Sequence, residues 1–140
     1  MKPDGLGCEG GTALAIHPYI DIYRYMDNSA AIDSLAALAQ DTRLDVFRLL
    51  VRHEPDGLSV GEIARQLAVP QNTMSTHLAV LRRGGLVRSV RRGRSITYRA
   101  DLAGLQRLIG FLLLDCCGGR TEICAPLIAE LAPCCVSQQG

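Results

Sequence analysis

Residues 59–85 read SVGEIARQLAVPQNTMSTHLAVLRRGG, and this stretch decides the fold. Ser59 followed three residues on by Glu62 is a capping box, which opens a short helix with Ile63, Ala64 and Leu67 on its buried side. Ala68-Val69-Pro70 links it to another helix, and Pro70 suits a first helical position, where a missing N–H costs nothing. That next helix runs from about Gln71 to Arg83 with Met74, Leu78 and Leu81 on its core face. Gly84-Gly85 stops it. Two helices joined by so tight a turn form a helix-turn-helix pattern.

Upstream, Asn28 or Ser29 caps a first helix whose apolar positions are Ile32, Leu35 and Leu38. Asp41 caps the second, with Leu44, Phe47, Leu50 and Val51 as its apolar stripe and Arg43, Arg48 and Arg52 off it. Pro55-Asp56-Gly57 turns the chain. Downstream, Leu86–Arg91 and Ser95–Ala100 read as two strands around Arg92-Gly93-Arg94; the second alternates well and the first poorly. A last helix starts at Asp101 and places Leu102, Leu105, Leu108, Ile109, Leu112 and Leu113 at helical spacing, ending at Gly118-Gly119. From Leu108 to Leu114 it is apolar nearly all round, so it needs burial on more than one side, and a second copy of the chain is the simplest partner. The order of elements predicts a mainly α (α+β) fold, a winged helix-turn-helix with a two-stranded wing. Residues 1–28 form an N-terminal arm holding three of the four tyrosines, 29–117 the DNA-binding and dimerisation domain, and 118–140 a cysteine-containing tail.

The chain has 140 residues, 48% of them hydrophobic, enough for one packed domain. The apolar run Phe111–Leu114 is far too short for a membrane span, and no unbroken apolar stretch marks a signal peptide near the N-terminus, so a cytoplasmic protein is expected. Net charge is only +1, yet the window from Ile63 to Ala100 holds eight arginines and no acid. Such a window is either a solvated basic face or a phosphate-binding surface, and guanidinium suits the second.

The face of the fourth helix opposite its core shows Asn72, Ser75, Thr76 and Ala79, with Gln71, Asn72 and Thr73 in its first turn. Short, uncharged, hydrogen-bonding side chains suit a helix that enters a major groove: Asn and Gln pair with adenine edges, and Ser and Thr with base edges or phosphates. A plain solvent-facing helix is the bland alternative, and His77 sits beside this face as a contact or a surface residue. Arg91, Arg92 and Arg94 at the hairpin tip would reach the flanking minor groove or backbone. The candidate contacts to double-stranded DNA are therefore Gln71, Asn72, Thr73, Ser75, Thr76, His77, Arg91, Arg92 and Arg94. If a dimer neutralises about six phosphates, log affinity falls against log salt with a slope near about −5.

Four stretches together resemble the ArsR/SmtB family of metal- and metalloid-responsive repressors: Leu35–Leu50, Ile63–Leu67, Gln71–Val87 and Arg92–Tyr98. The resemblance covers about residues 30 to 117. It implies a homodimer built on the first and last helices, operator binding by the fourth helix and wing, and derepression when an inducer binds. The third helix has no cysteine and the last offers Asp115 but no histidine, so neither the third-helix thiol site nor the carboxylate–histidine zinc site of family members transfers. Cys116, Cys117 and Cys124 are similar instead to the arsenic-sensing members whose cysteines lie at the C-terminal end.

Six cysteines in a reducing compartment call for a role other than a disulfide framework. Cys116-Cys117-Gly118-Gly119-Arg120-Thr121-Glu122-Ile123-Cys124 places three sulfurs in one glycine-hinged loop without histidine, a donor set for a soft ion. With the resemblance, As(III) is the expected inducer ligand, and Sb(III) or methylated As(III) are alternatives. The same thiols also suit a redox- or persulfide-sensing repressor, or simply buried cysteine. Cys134-Cys135 is a spare soft site, a tail ligand or incidental, and Cys8 is read as incidental. An enzyme is not expected, because no activating base or phosphate-cradling loop accompanies Cys116. A winged helix that binds protein and not DNA is the third reading.

Overall fold

The computed structural model describes residues 26–115 together with 120, 122, 123, 125, 126 and 130. Within them the order is α1 (Asn28–Leu38), α2 (Asp41–Arg52), α3 (Val60–Leu67), α4 (Gln71–Arg83), β1 (Val87–Arg92), β2 (Ser95–Ala100) and α5 (Leu102–Gly110), after which Phe111–Asp115 is π-helical. This is a winged helix-turn-helix, and Asp27–Leu108 form one compact unit. No described helix is long and apolar enough to cross a membrane.

Each helix end has a chemical cause. Asp27, one residue before the expected cap, accepts the Ala30 N–H at 2.8 Å, so the helix begins at Asn28. Gln40 and not Asp41 caps α2, its Oε1 accepting the Arg43 N–H at 2.9 Å, and Asp41 becomes the acid of the first turn. Arg43 then donates from Nε to the Ala37 carbonyl at 2.7 Å, satisfying the C-terminus of α1. The capping box of α3 is present in both directions, Glu62 N to Ser59 Oγ at 3.2 Å and Ser59 N to Glu62 Oε1 at 2.8 Å. Pro70 stands at the N-cap of α4, one position earlier than expected, and its carbonyl accepts the Met74 N–H at 2.9 Å.

The core gathers Val46, Leu49 and Leu50 of α2, Ile63 of α3, Met74, Leu78 and Leu81 of α4, and Leu86, Val87 and Ala100 of the wing base. Burying each large aliphatic contributes about 1.5–3 kcal/mol. Two helix faces differ from expectation. In α1 the buried residues are Ala31, Ser34 and Ala37, while Ile32 and Leu35 are 63% and 43% exposed. In α2 Val46 and Leu49 join Phe47 and Leu50 inside, whereas Leu44 and Val51 are 41% and 38% exposed. Helix α1 is rich in alanine, which packs its small face closely and leaves Ile32 and Leu35 outward, while Leu38 packs against the core as expected. Leu108 is buried in α5 and Leu102 is exposed.

The wing is an antiparallel pair in the register Val87↔Ala100 through Arg92↔Ser95, closed by the two-residue turn Gly93-Arg94. The first strand thus starts one residue later than expected and includes Arg92. A single bridge, Leu58↔Tyr98, ties the segment before α3 to β2, with Leu58 N to Tyr98 O at 3.0 Å and Tyr98 N to Leu58 O at 2.7 Å.

Candidate nucleic-acid interface

Burial of Met74, Leu78 and Leu81 fixes the rotation of α4 about its axis. That rotation turns Gln71, Asn72, Thr73, Ser75, Thr76 and Ala79 outward, all exposed, as the sequence predicts. Their polar atoms are engaged only locally. Ser75 Oγ donates to the Gln71 carbonyl at 3.1 Å, Thr76 Oγ1 to the Asn72 carbonyl at 3.4 Å, and Asn72 Oδ1 accepts the Thr73 N–H at 2.9 Å. Local bonds of this kind exchange readily for bonds to a base edge. His77 is half-buried, and its Nδ1 is buried without a hydrogen-bond partner among the described residues. It therefore sits at the border of the exposed face.

At the wing, Arg91, Arg92, Gly93 and Arg94 are all exposed. Strand alternation puts Arg91 with Ser89, Ile96 and Tyr98 on one face, and Arg92 with Arg88, Val90, Ser95, Thr97 and Arg99 on the other. A hairpin entering a groove edge-on thus presents cations to both walls. Arg91 Nε bonds the Gly93 carbonyl at 3.2 Å, which steadies the turn.

Two of the residues that shape this surface are absent from the sequence-based expectations. Glu54 pairs with Arg99, Nη2 to Oε1 at 2.6 Å, so one of the eight window arginines is held internally. The Arg99 hydrogen bond holds the Glu54 carboxyl below the usual glutamate range, against the opposing effect of burial and with help from the charge of Arg99, the Ala100 N–H and the charge of Arg88. Ser34, 1% exposed in α1, donates to the carbonyl of Gly84 just beyond α4. The candidate thiols Cys116, Cys117 and Cys124 lie outside the described residues, as do Cys8, Cys134 and Cys135.

Comparison with known proteins decides the family. The family described as "Helix-turn-helix domain" matches residues 38–90. The transcriptional activator HlyU of Vibrio cholerae is 36% identical over 86 residues, spanning 61% of this chain and 77% of HlyU. An ArsR-like transcriptional regulator from Rhodococcus sp. RHA1 superposes with a TM-score of 0.56 at 30% identity, covering 74% of this chain and 93% of that one. The chain belongs to the ArsR/SmtB family of transcriptional regulators. The solved homodimeric winged helix-turn-helix DNA-binding domain from Mycobacterium bovis, described as a possible ArsR-family transcriptional regulator, is also similar, with a TM-score of 0.50 at 30% identity over 60% of this chain and 78% of that one. These relatives are DNA-binding regulators and not enzymes. In an ArsR/SmtB regulator the outward face of α4 and the wing are the parts whose chemistry suits DNA.

Proposed function

We propose that this regulator is a homodimeric repressor that grips a near-palindromic operator and releases it when a trivalent arsenical is captured by Cys116, Cys117 and Cys124. The observation that carries the DNA half is the short, uncharged, exposed face of α4 together with a wing tip of three exposed arginines. Gln71, Asn72, Thr73, Ser75, Thr76 and His77 read or border the major groove, and Arg91, Arg92 and Arg94 neutralise flanking phosphates. The dimer half is supported by the homodimeric Mycobacterium bovis relative and by the exposed large apolar side chains Ile32 and Leu35 on α1 and Leu102 on α5. Burying them against a second copy removes a hydrophobic exposure that a lone protomer retains.

The sensing half rests on donor chemistry. Three sulfurs within nine residues and no histidine among them favour a soft, thiophilic centre over a hard cation. As(III), once bound, supplies a soft centre that all three thiolates can share. Cys124 then joins the end of the dimerisation segment to Cys116 and Cys117, which alters the spacing of the two recognition helices. DNA must in turn weaken arsenical binding by the same factor.

The test is the stoichiometry of bound element on reduced protein, with its sulfur coordination number from X-ray absorption. One arsenic per protomer with three sulfurs is expected. Two sulfurs favour a methylated arsenical as the natural ligand, and no binding with reversible disulfide formation favours thiol redox sensing. In vitro transcription sets the sign: the reduced dimer is expected to block its promoter, whereas stimulation would align it with HlyU, which is named an activator.

A further inference from the structure

Glu54 lies in the turn between α2 and α3 and reaches across to the wing. Its carboxylate accepts from Arg99 Nη2 at 2.6 Å, from Arg99 Nε at 3.3 Å and from the Ala100 backbone N–H at 3.1 Å. The Glu54 side chain is only 16% exposed. The whole turn is laid against the wing face that carries Arg88, Arg92 and Arg99. Pro55 and Asp56 share a small cleft of about 90 Å³ with Val90, Arg92, Thr97 and Arg99. Gly57 comes so close, at φ +77°, that a Cβ there would sit 2.5 Å from the Tyr98 carbonyl oxygen and 2.6 Å from Thr97 Cγ2. One residue on, the Leu58–Tyr98 bridge completes the attachment.

This arrangement does two things at once. It anchors the wing at its Ala100 end against the turn that leads into α3, leaving the Arg91–Ile96 end exposed. It also holds Arg99 in a bidentate ion pair, two of its five N–H donors taken by the carboxylate and its charge offset, so a guanidinium at the edge of a DNA-facing surface is committed to Glu54. A free guanidinium there would bind any phosphate, adding affinity without sequence information.

We infer that Glu54 is a specificity-determining positioning residue: it sets the pose of the wing relative to the recognition helix and withholds Arg99 from non-specific phosphate contact. The inference rests on the DNA-binding reading proposed above. It makes an unusual demand, namely that removing one acid weakens binding to the right sequence and strengthens binding to the wrong one. A purely structural role for Glu54 would weaken both.

The experiment uses the full-length reduced protein and two labelled duplexes, one selected by the protein from a random pool and one a shuffle of the same composition. Fluorescence anisotropy is read across a salt series. The parent is expected to prefer the selected duplex. In Glu54→Gln, affinity for the selected duplex falls about tenfold, while affinity for the shuffled duplex rises and its salt slope steepens by up to about 2 per dimer. The double variant Glu54→Gln/Arg99→Gln returns the shuffled affinity to the parent value and leaves the selected one weak. Should melting show that Glu54→Gln does not fold, Arg99→Gln alone decides: weaker selected binding with unchanged shuffled binding is expected. Equal losses on both duplexes, in either variant, overturn the inference. A parent that does not distinguish the duplexes overturns the DNA-binding reading itself, and this inference with it.

Discussion

Ser34 Oγ donates a 2.6 Å hydrogen bond to the carbonyl of Gly84, fifty residues away, in a buried contact between α1 and the end of α4. The two backbones approach so closely that a Cβ on Gly84 would lie 2.9 Å from the Ala37 Cβ and 3.2 Å from the Asp33 carbonyl oxygen. Helix α1 carries the exposed Ile32 and Leu35, so a movement of that helix in a dimer would be handed directly to α4. Ser34→Ala leaves a buried carbonyl unpaired and is expected to destabilise the fold by about 1–3 kcal/mol. Gly84→Ala forces the helices apart at a similar cost of about 1–3 kcal/mol. Urea denaturation at constant m-value measures both. A loss below about 0.5 kcal/mol for each would mean the contact is loose.

Helix α4 is where stability and the proposed binding are expected to separate. Asn72 is exposed and its Oδ1 is engaged only by the Thr73 N–H, so Asn72→Ala is expected to leave the melting temperature nearly unchanged. Operator affinity should fall by about 1–3 kcal/mol, with preference relaxed at one base pair per half-site. Anisotropy against a panel of single-base operator variants checks this. Uniform weakening across the panel would assign Asn72 to the backbone.

At the wing, charge is expected to matter more than shape. Replacing Arg91 or Arg94 with Ala removes about two phosphate contacts per dimer, so the slope of log affinity against log salt should flatten by about 2 for each. An unchanged slope would take that arginine off the DNA.

Glu54 predicts a pH dependence with a definite sign. Its carboxyl titrates lower in the folded protein than in the unfolded chain, chiefly because Arg99 hydrogen-bonds the ionised form. Such a group stabilises the fold above the unfolded value, near about 4.3, and that contribution is lost as pH falls through the lower folded value. The stability gap between parent and Glu54→Gln is therefore expected to be constant at neutral pH and to close below about pH 4 in denaturation curves. A gap independent of pH down to acid would contradict the pairing in solution.

Much of this was legible before the structure, for a physical reason. The capping box at Ser59, the three-residue turn and the Met74, Leu78, Leu81 spacing are local signals, and each fixed its element and the outward face of α4. Helix faces that depend on the partner were read less well. Ile32, Leu35, Leu44 and Val51 have core-like character, but small residues and Val46 and Leu49 won the interior because the packed neighbour demanded them. Caps slipped by one residue to Asp27 and Gln40, since side-chain reach and not residue type alone selects the cap, and Pro70 stands one position early at an N-cap that has no side-chain hydrogen bond. Ser34 and Glu54 were invisible because their partners lie fifty and forty-five residues away. In the sequence Arg99 looked like one more free cation.

The most direct test is an arsenite titration of the preformed, reduced protein–operator complex, followed by anisotropy, in the parent and in Cys116→Ser and Cys124→Ser. The parent is expected to release its DNA as about one equivalent of arsenite per protomer is added, and both variants to hold it, having lost one sulfur of the three. Release from the variants as readily as from the parent, or equal operator affinity of the loaded and empty parent, would contradict the account.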